Sequence, residues 1–201
     1  MKKALQIVLL VAIVLLSYLI IESIMKPIRF NQEKDKRYAK TIERLKDIRT
    51  AQLAYRAENN KFTGSFDTLI HFLKYDSFRI VRQIGSLDDS AAVAQGLVFR
   101  DTVNVSVMDS LYKEAKYPND SLRYVPYTKG AEFEMGAGVL VTGSRLRIQV
   151  FEAKVHNDVL LKGLDRQLVV NLNDLQEKLE RFPGLQVGSL TQTTNHAGNW
   201  E

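Results

Sequence analysis

An α+β fold is predicted for this chain of 201 residues by three features of its apolar pattern. An unbroken apolar run fills Ala4 to Met25, an apolar stripe then recurs at spacings of three and four, and period-two alternation takes over beyond Phe78. Together they predict an N-terminal transmembrane helix, a long amphipathic stem helix, and a mostly antiparallel β-sheet domain with short helices. The expected divisions are 1–25 anchor, 26–62 stem, 63–191 soluble α+β domain and 192–201 polar tail.

The anchor comes first. About 20 apolar residues at 1.5 Å per residue cross a bilayer's hydrocarbon core, and Ala4–Met25 supplies them. The run is longer than the apolar stretch of a cleavable signal, and bulky residues stand where a small-x-small cleavage pattern is needed. It reads as a retained, single-pass signal anchor. Lys2 and Lys3 favour a cytoplasmic N-terminus, whereas Lys26, Arg29, Lys34, Lys36, Arg37 and Lys40 beyond the run favour the reverse. Long downstream domains translocate largely regardless of charge, so an extracytoplasmic domain is expected. Glu22, the one acid of the run, stands one helical turn from Lys26. That spacing suits an interfacial pair, the alternative being a basic group of a neighbouring span.

Pro27 is expected to bend or break the junction with the stem, because it lacks an N–H and clashes with the preceding turn. Residues 33–60 form the stem helix, with Tyr38, Ile42, Leu45, Ile48, Ala51 and Tyr55 on one stripe. The stripe is short for a coiled coil and suits a helix lying on its own domain, with a homo-oligomer through the stem as the other option. Asn59-Asn60 ends it. Asp67–Lys74 forms a short helix with Ser65 as cap. Strands are expected at 78–81, from Leu97 to Val107, and at 122–127, 131–135, 138–142, 146–152 and 154–161, with glycines in the turns. Asn173-Asp174-Leu175-Gln176 resembles a capping box opening a helix that stops at Phe182, and Leu185–Thr191 forms the last strand.

The chemistry-bearing residues point away from catalysis. The absence of cysteine excludes disulfides, thiol catalysis and cysteine metal sites. His71, His156 and His196 lie far apart without ligand spacing, and read as surface or packing residues. Gly136-Ala137-Gly138 lies between strands and reads as a hairpin turn rather than a phosphate loop. Asp88-Asp89 reads as a loop, and Glu132 and Glu134 as the solvent face of a strand. No cofactor motif occurs, and metal ligation is not expected. Much of the excess in the net charge of +5 lies in the flank after the anchor, which fits anionic headgroups, and the dispersed Lys and Arg residues form no nucleic-acid patch.

The stretch Ile42-Glu43-Arg44-Leu45-Lys46-Asp47-Ile48-Arg49-Thr50-Ala51-Gln52-Leu53-Ala54-Tyr55, continuing to Asn59-Asn60-Lys61-Phe62-Thr63 and Phe66-Asp67-Thr68-Leu69, resembles type IV pilins and type II secretion pseudopilins. The resemblance covers the layout of residues 4–75 and about 30 residues in detail. It implies an N-terminal helix whose membrane half anchors the chain while its second half carries an antiparallel sheet. It also implies a bacterial inner-membrane protein with a periplasmic domain. The anchor departs from the prepilin pattern: it contains no glycine, and Glu22 stands at its far end. Processing by a prepilin peptidase is therefore not expected.

These readings converge on a non-catalytic scaffold subunit of an envelope assembly with protein partners. Its candidate interaction residues are Glu22 in the anchor, Arg44, Arg49 and Arg56 on the exposed side of the stem, and Tyr117, Tyr124 and Tyr127 in the loop-strand region that follows. The second reading is a membrane-anchored ligand-binding or sensor domain, with Tyr124, Tyr127, Phe133 and Phe151 lining a cleft.

Overall fold

The computed structural model describes residues 2–84, 99–112 and 119–201. The chain opens with one helix, α1 (Lys2–Asn59), which is uninterrupted for 58 residues and contains Pro27. The expected break at Pro27 does not occur. A break would orphan up to four N–H and four C=O groups, whereas a continuous helix forfeits one hydrogen bond at the proline. The helix ends as its asparagines suggest: Asn60 takes a left-handed φ of 54° and its N–H donates to Arg56 O at 2.8 Å.

α1 has two halves with different surroundings. From Leu9 to Ile28 its large apolar side chains are exposed apart from the half-buried Met25, while Phe30, Leu45, Ile48, Ala51 and Tyr55 are buried in the core. The stripe therefore lies on the chain's own domain. Two polar residues share the buried face. Thr41 donates to Arg37 O at 2.8 Å. Gln52 clamps the loop after α1, donating to Thr63 O at 2.6 Å and accepting from Thr63 N at 3.2 Å.

α2 (Phe66–Tyr75) packs Leu69, Ile70, Phe72 and Leu73 inward. Ser65 occupies its cap position without a side-chain bond, and Thr63 Oγ1 instead accepts from Ser65 N at 3.2 Å. β1 (Ser77–Ile84) and β2 (Phe99–Ser106) form an antiparallel two-stranded ribbon, and β2 leads into α3 (Val107–Leu111). A second, three-stranded antiparallel sheet has the order β3 (Glu134–Val141), β4 (Arg147–His156), β5 (Gly184–Gly188). α4 (Asn157–Leu160) and α5 (Arg166–Lys178) connect β4 to β5.

Several sequence expectations are corrected here. Residues 122–127 and 131–135 do not form two strands: a 3-10 turn (Asn119–Arg123) and a single bridge between Tyr124 and Glu132 occupy most of this region. Pro126 has no N–H for a ladder, and Tyr127 and Gly130 both turn the chain with positive φ. The strands placed at 146–152 and 154–161 are one strand, because Ala153 packs into the core, and residues 157–160 are helical. α5 starts a full two turns before Asn173. Asp165 caps it, accepting from Gln167 N at 3.0 Å and Leu168 N at 3.2 Å, while Asn173 is buried inside it. The helix ends at Lys178, short of Phe182. β5 stops at Gly188, whose φ of 70° ends the extended run, so Ser189–Thr191 lie outside it. The C-terminal segment is packed rather than free: Gly198 bridges to Val187, and Asn199 donates to Gly184 O at 2.9 Å. It covers the β5 edge, and β3 forms the opposite edge of the sheet.

Candidate functional site

The junction between stem and domain is built from polar groups that interlock. Tyr38 donates its hydroxyl to Asn157 Oδ1 at 2.6 Å, and Asn157 Nδ2 donates to Asn173 Oδ1 at 2.9 Å. Asn173 Nδ2 donates in turn to Asp158 Oδ1 at 2.9 Å. Asn157 is fully buried, so this chain satisfies groups that water cannot reach. Burial pushes the Tyr38 phenol up to about 12, the bond to Asn157 opposing and the Asp35 charge adding to it. Beside Tyr38, Arg37 Nη1 donates to Leu160 O at 3.0 Å and Lys162 O at 3.1 Å while its Nε pairs with Glu33. One residue earlier, Lys36 Nζ stands 5.8 Å from the centre of the Tyr127 ring. Tyr127 is half exposed and holds a φ of 61°, a conformation costing a bulky side chain about 1–2 kcal/mol. Two loops of the domain thus flank α1 at nearly the same height, 125–130 on one side and 160–163 on the other.

The candidate interaction residues fall into separate places. Glu22 lies on the apolar half of α1, and among the described residues no ion pair joins it to Lys26. Arg44 is half-buried and donates to the Ser121 carbonyl, and burial holds its guanidinium below the usual arginine range. Arg49 pairs with Glu201 at 2.7 Å, which holds that carboxyl below the usual range. Arg56 is exposed and stacks over Phe62 at 5.3 Å. Arg44 and Arg49 therefore tie the domain to the stem, rather than lining a free outer face. Tyr117 lies outside the described residues, as does Asp88-Asp89. Tyr124 and Tyr127 are exposed, whereas Phe133 and Phe151 belong to the core, so the four do not line a cleft.

The histidines have three different settings. His71 packs on Tyr75 with ring centres 4.8 Å apart. His156 caps α4, its Nδ1 accepting from Asp158 N at 3.2 Å. His196 stacks on Phe151 at 5.2 Å and meets Phe62 edge-on, and burial, reinforced by Arg56 and Arg49, lowers its pKa. Among the described residues no group of His, Cys, Asp and Glu is placed to hold a metal ion.

An open cleft of about 570 Å³ lies between β4, β5 and the C-terminal segment, lined by Glu152, Lys154, Phe182, Gln186 and Thr191 among others. Its polar groups are largely committed to one another. Lys154 pairs with Glu152 at 2.7 Å, Gln186 donates to Gly188 O at 2.9 Å, and Ser189 Oγ accepts from the Thr191 and Gln192 amides. A ligand entering here would have to replace bonds already made. Sequence reasoning missed both this cleft and the Tyr38–Asn157–Asn173 chain, because neither has a local signature.

In comparisons with known proteins, no protein family, curated protein or solved structure matches the chain. Among the described residues one helix, near the N-terminus, is long and apolar enough to be compatible with a single transmembrane span.

Proposed function

We propose that this chain is a membrane-anchored, non-catalytic scaffold subunit of a bacterial envelope assembly, pilin- or pseudopilin-like in layout, with its domain in the periplasm. One observation carries the reading: a single helix exposes its apolar first half and buries its second half in an α+β domain. An exposed apolar surface of that length is costly in water and favourable in lipid. The anchor fixes the height of the domain, and the stem fixes its orientation without a linker. The β3 edge, unpaired among the described residues and with Val139 and Val141 exposed, then supplies a docking edge for protein partners.

The test begins with topology. Ser144→Cys places a lone thiol at the exposed β3–β4 turn. A maleimide that cannot cross the inner membrane should label it in cells whose outer membrane is permeabilised. Labelling only after lysis of the inner membrane would put the domain in the cytoplasm and sink the proposal. A stable partner is expected to co-purify in mild detergent, and a lone monomer would argue against scaffolding.

A second reading, ligand binding, is favoured by the cleft beside β5. It predicts a saturable rise in melting temperature with a polar ligand, and loss of that rise on Lys154→Ala.

A further inference from the structure

We propose that the face of the domain nearest the anchor docks onto anionic lipid headgroups, through Lys36, Lys129 and Lys162 with the Tyr127 ring among them. This inference rests on the anchored reading above and adds a binding surface to it. Phe30 stands about 8 Å along the axis from Met25 at 1.5 Å per residue, and it is buried in the core. The domain therefore closes on α1 almost where the apolar run ends. The headgroup layer extends about 5–7 Å beyond the hydrocarbon, so domain atoms reach its level.

The two flanking loops sit slightly higher. Lys36 and Arg37 lie about 16–18 Å from Met25, and they receive the 125–130 and 160–163 loops through Tyr127 and the carbonyls of Leu160 and Lys162. About 9–13 Å separates these loops from the headgroups, somewhat more than the Debye length of about 8 Å at physiological ionic strength, and lysine side chains reach across part of it.

Charge on this face is sorted. Two of its acids are paired with cations, Glu33 with Arg37 and Asp35 with Lys34 at 3.3 Å, while Asp158, bonded to the neutral amide of Asn173, keeps its charge. Asp165 is used as the cap of α5. Among the described residues, Lys26, Arg29, Lys36, Lys129 and Lys162 enter no ion pair. Basic groups beside a span are drawn to an anionic surface. The remaining feature is Tyr127. Strained backbone concentrates at functional positions, and here it presents an aromatic ring with a polar tip, the side-chain type enriched at membrane interfaces.

Hydrogen exchange on the full chain, reconstituted in phosphatidylcholine vesicles with and without about 30% phosphatidylglycerol, tests this. Amides of 127–131 and 160–166 should exchange about threefold or more slowly with the anionic lipid, while the 142–146 turn stays unchanged. The protection should vanish in about 0.5 M salt, which shortens the Debye length. It should also vanish in a combined Lys36→Gln, Lys129→Gln, Lys162→Gln variant whose melting temperature matches the parent. Equal exchange in both lipids, or protection that survives the triple variant, would overturn the proposal. Flotation of the vesicles after a carbonate wash separates the two levels. A chain that floats but shows no protection overturns the headgroup-docking face alone, and one that does not float overturns the anchor and that face together.

Discussion

Tyr38 illustrates how one hydroxyl can hold a stem to its domain. Tyr38→Phe removes the donor to Asn157 Oδ1, leaving a buried acceptor short of a partner at a cost of about 1–3 kcal/mol. Urea unfolding of the parent and variant measures it. The same residue sets an alkaline limit. Its phenol keeps its proton up to about 12 in the fold, against about 10 in the unfolded chain. Its contribution is complete below about pH 10 and is lost as pH rises through the folded value. Tyr38→Phe should therefore flatten the base-side decline in stability, leaving the part due to Tyr112, whose phenol burial also raises. His196 acts at the other end. Its folded pKa is lowered, so the unfolded chain takes up the proton first. Stability should hold above about pH 6.5 and fall as pH drops through the folded value. His196→Asn, which tolerates the φ of 61° at this position, should remove that slope in unfolding curves at about pH 5 and 7.5.

Among the elements, β5 has the least freedom. A side chain at Gly188 would place Cβ 2.2 Å from the Phe151 carbonyl oxygen, and the φ of 70° is unfavourable for any residue with a Cβ. Gly188→Ala should thus cost about 3 kcal/mol or more and loosen the C-terminal segment that pairs alongside, readable as a lower denaturant midpoint. Periodicity made the elements with one buried face legible. The stripe Leu45, Ile48, Ala51 and Tyr55 gave the stem its packed side, whereas alternation located β1 and β2 although Ile80, Val81 and Val103 of that ribbon are exposed. What it could not supply was competition between neighbouring signals. Asp165 and Asn173 are both good caps, and only tertiary packing, which draws Asn173 into the interior, decides for Asp165. Around Pro126 and Tyr127 apolar alternation promised strands, but the backbone there turns. The candidate residues were legible as types and not as neighbours. Arg44 and Arg49 looked like a free basic face, yet their partners, Ser121 and Glu201, lie far away in sequence.

At the scale of the whole molecule, α1 joins what the sequence suggested were two separate parts. Pro27 marks a boundary in polarity at which the helix is not broken, and Phe30 lets the domain grip the helix just beyond it. In an anchored chain such a helix would be a lever with its fulcrum in the bilayer. The arm from Met25 to Asn59 is about 51 Å long, so a tilt of about 10° would swing its far end sideways by about 9 Å. Spans tilt when their apolar length exceeds the local hydrocarbon thickness. A thinner bilayer would then be registered at the distal end as a displacement comparable to the width of a helix, without any rearrangement inside the domain.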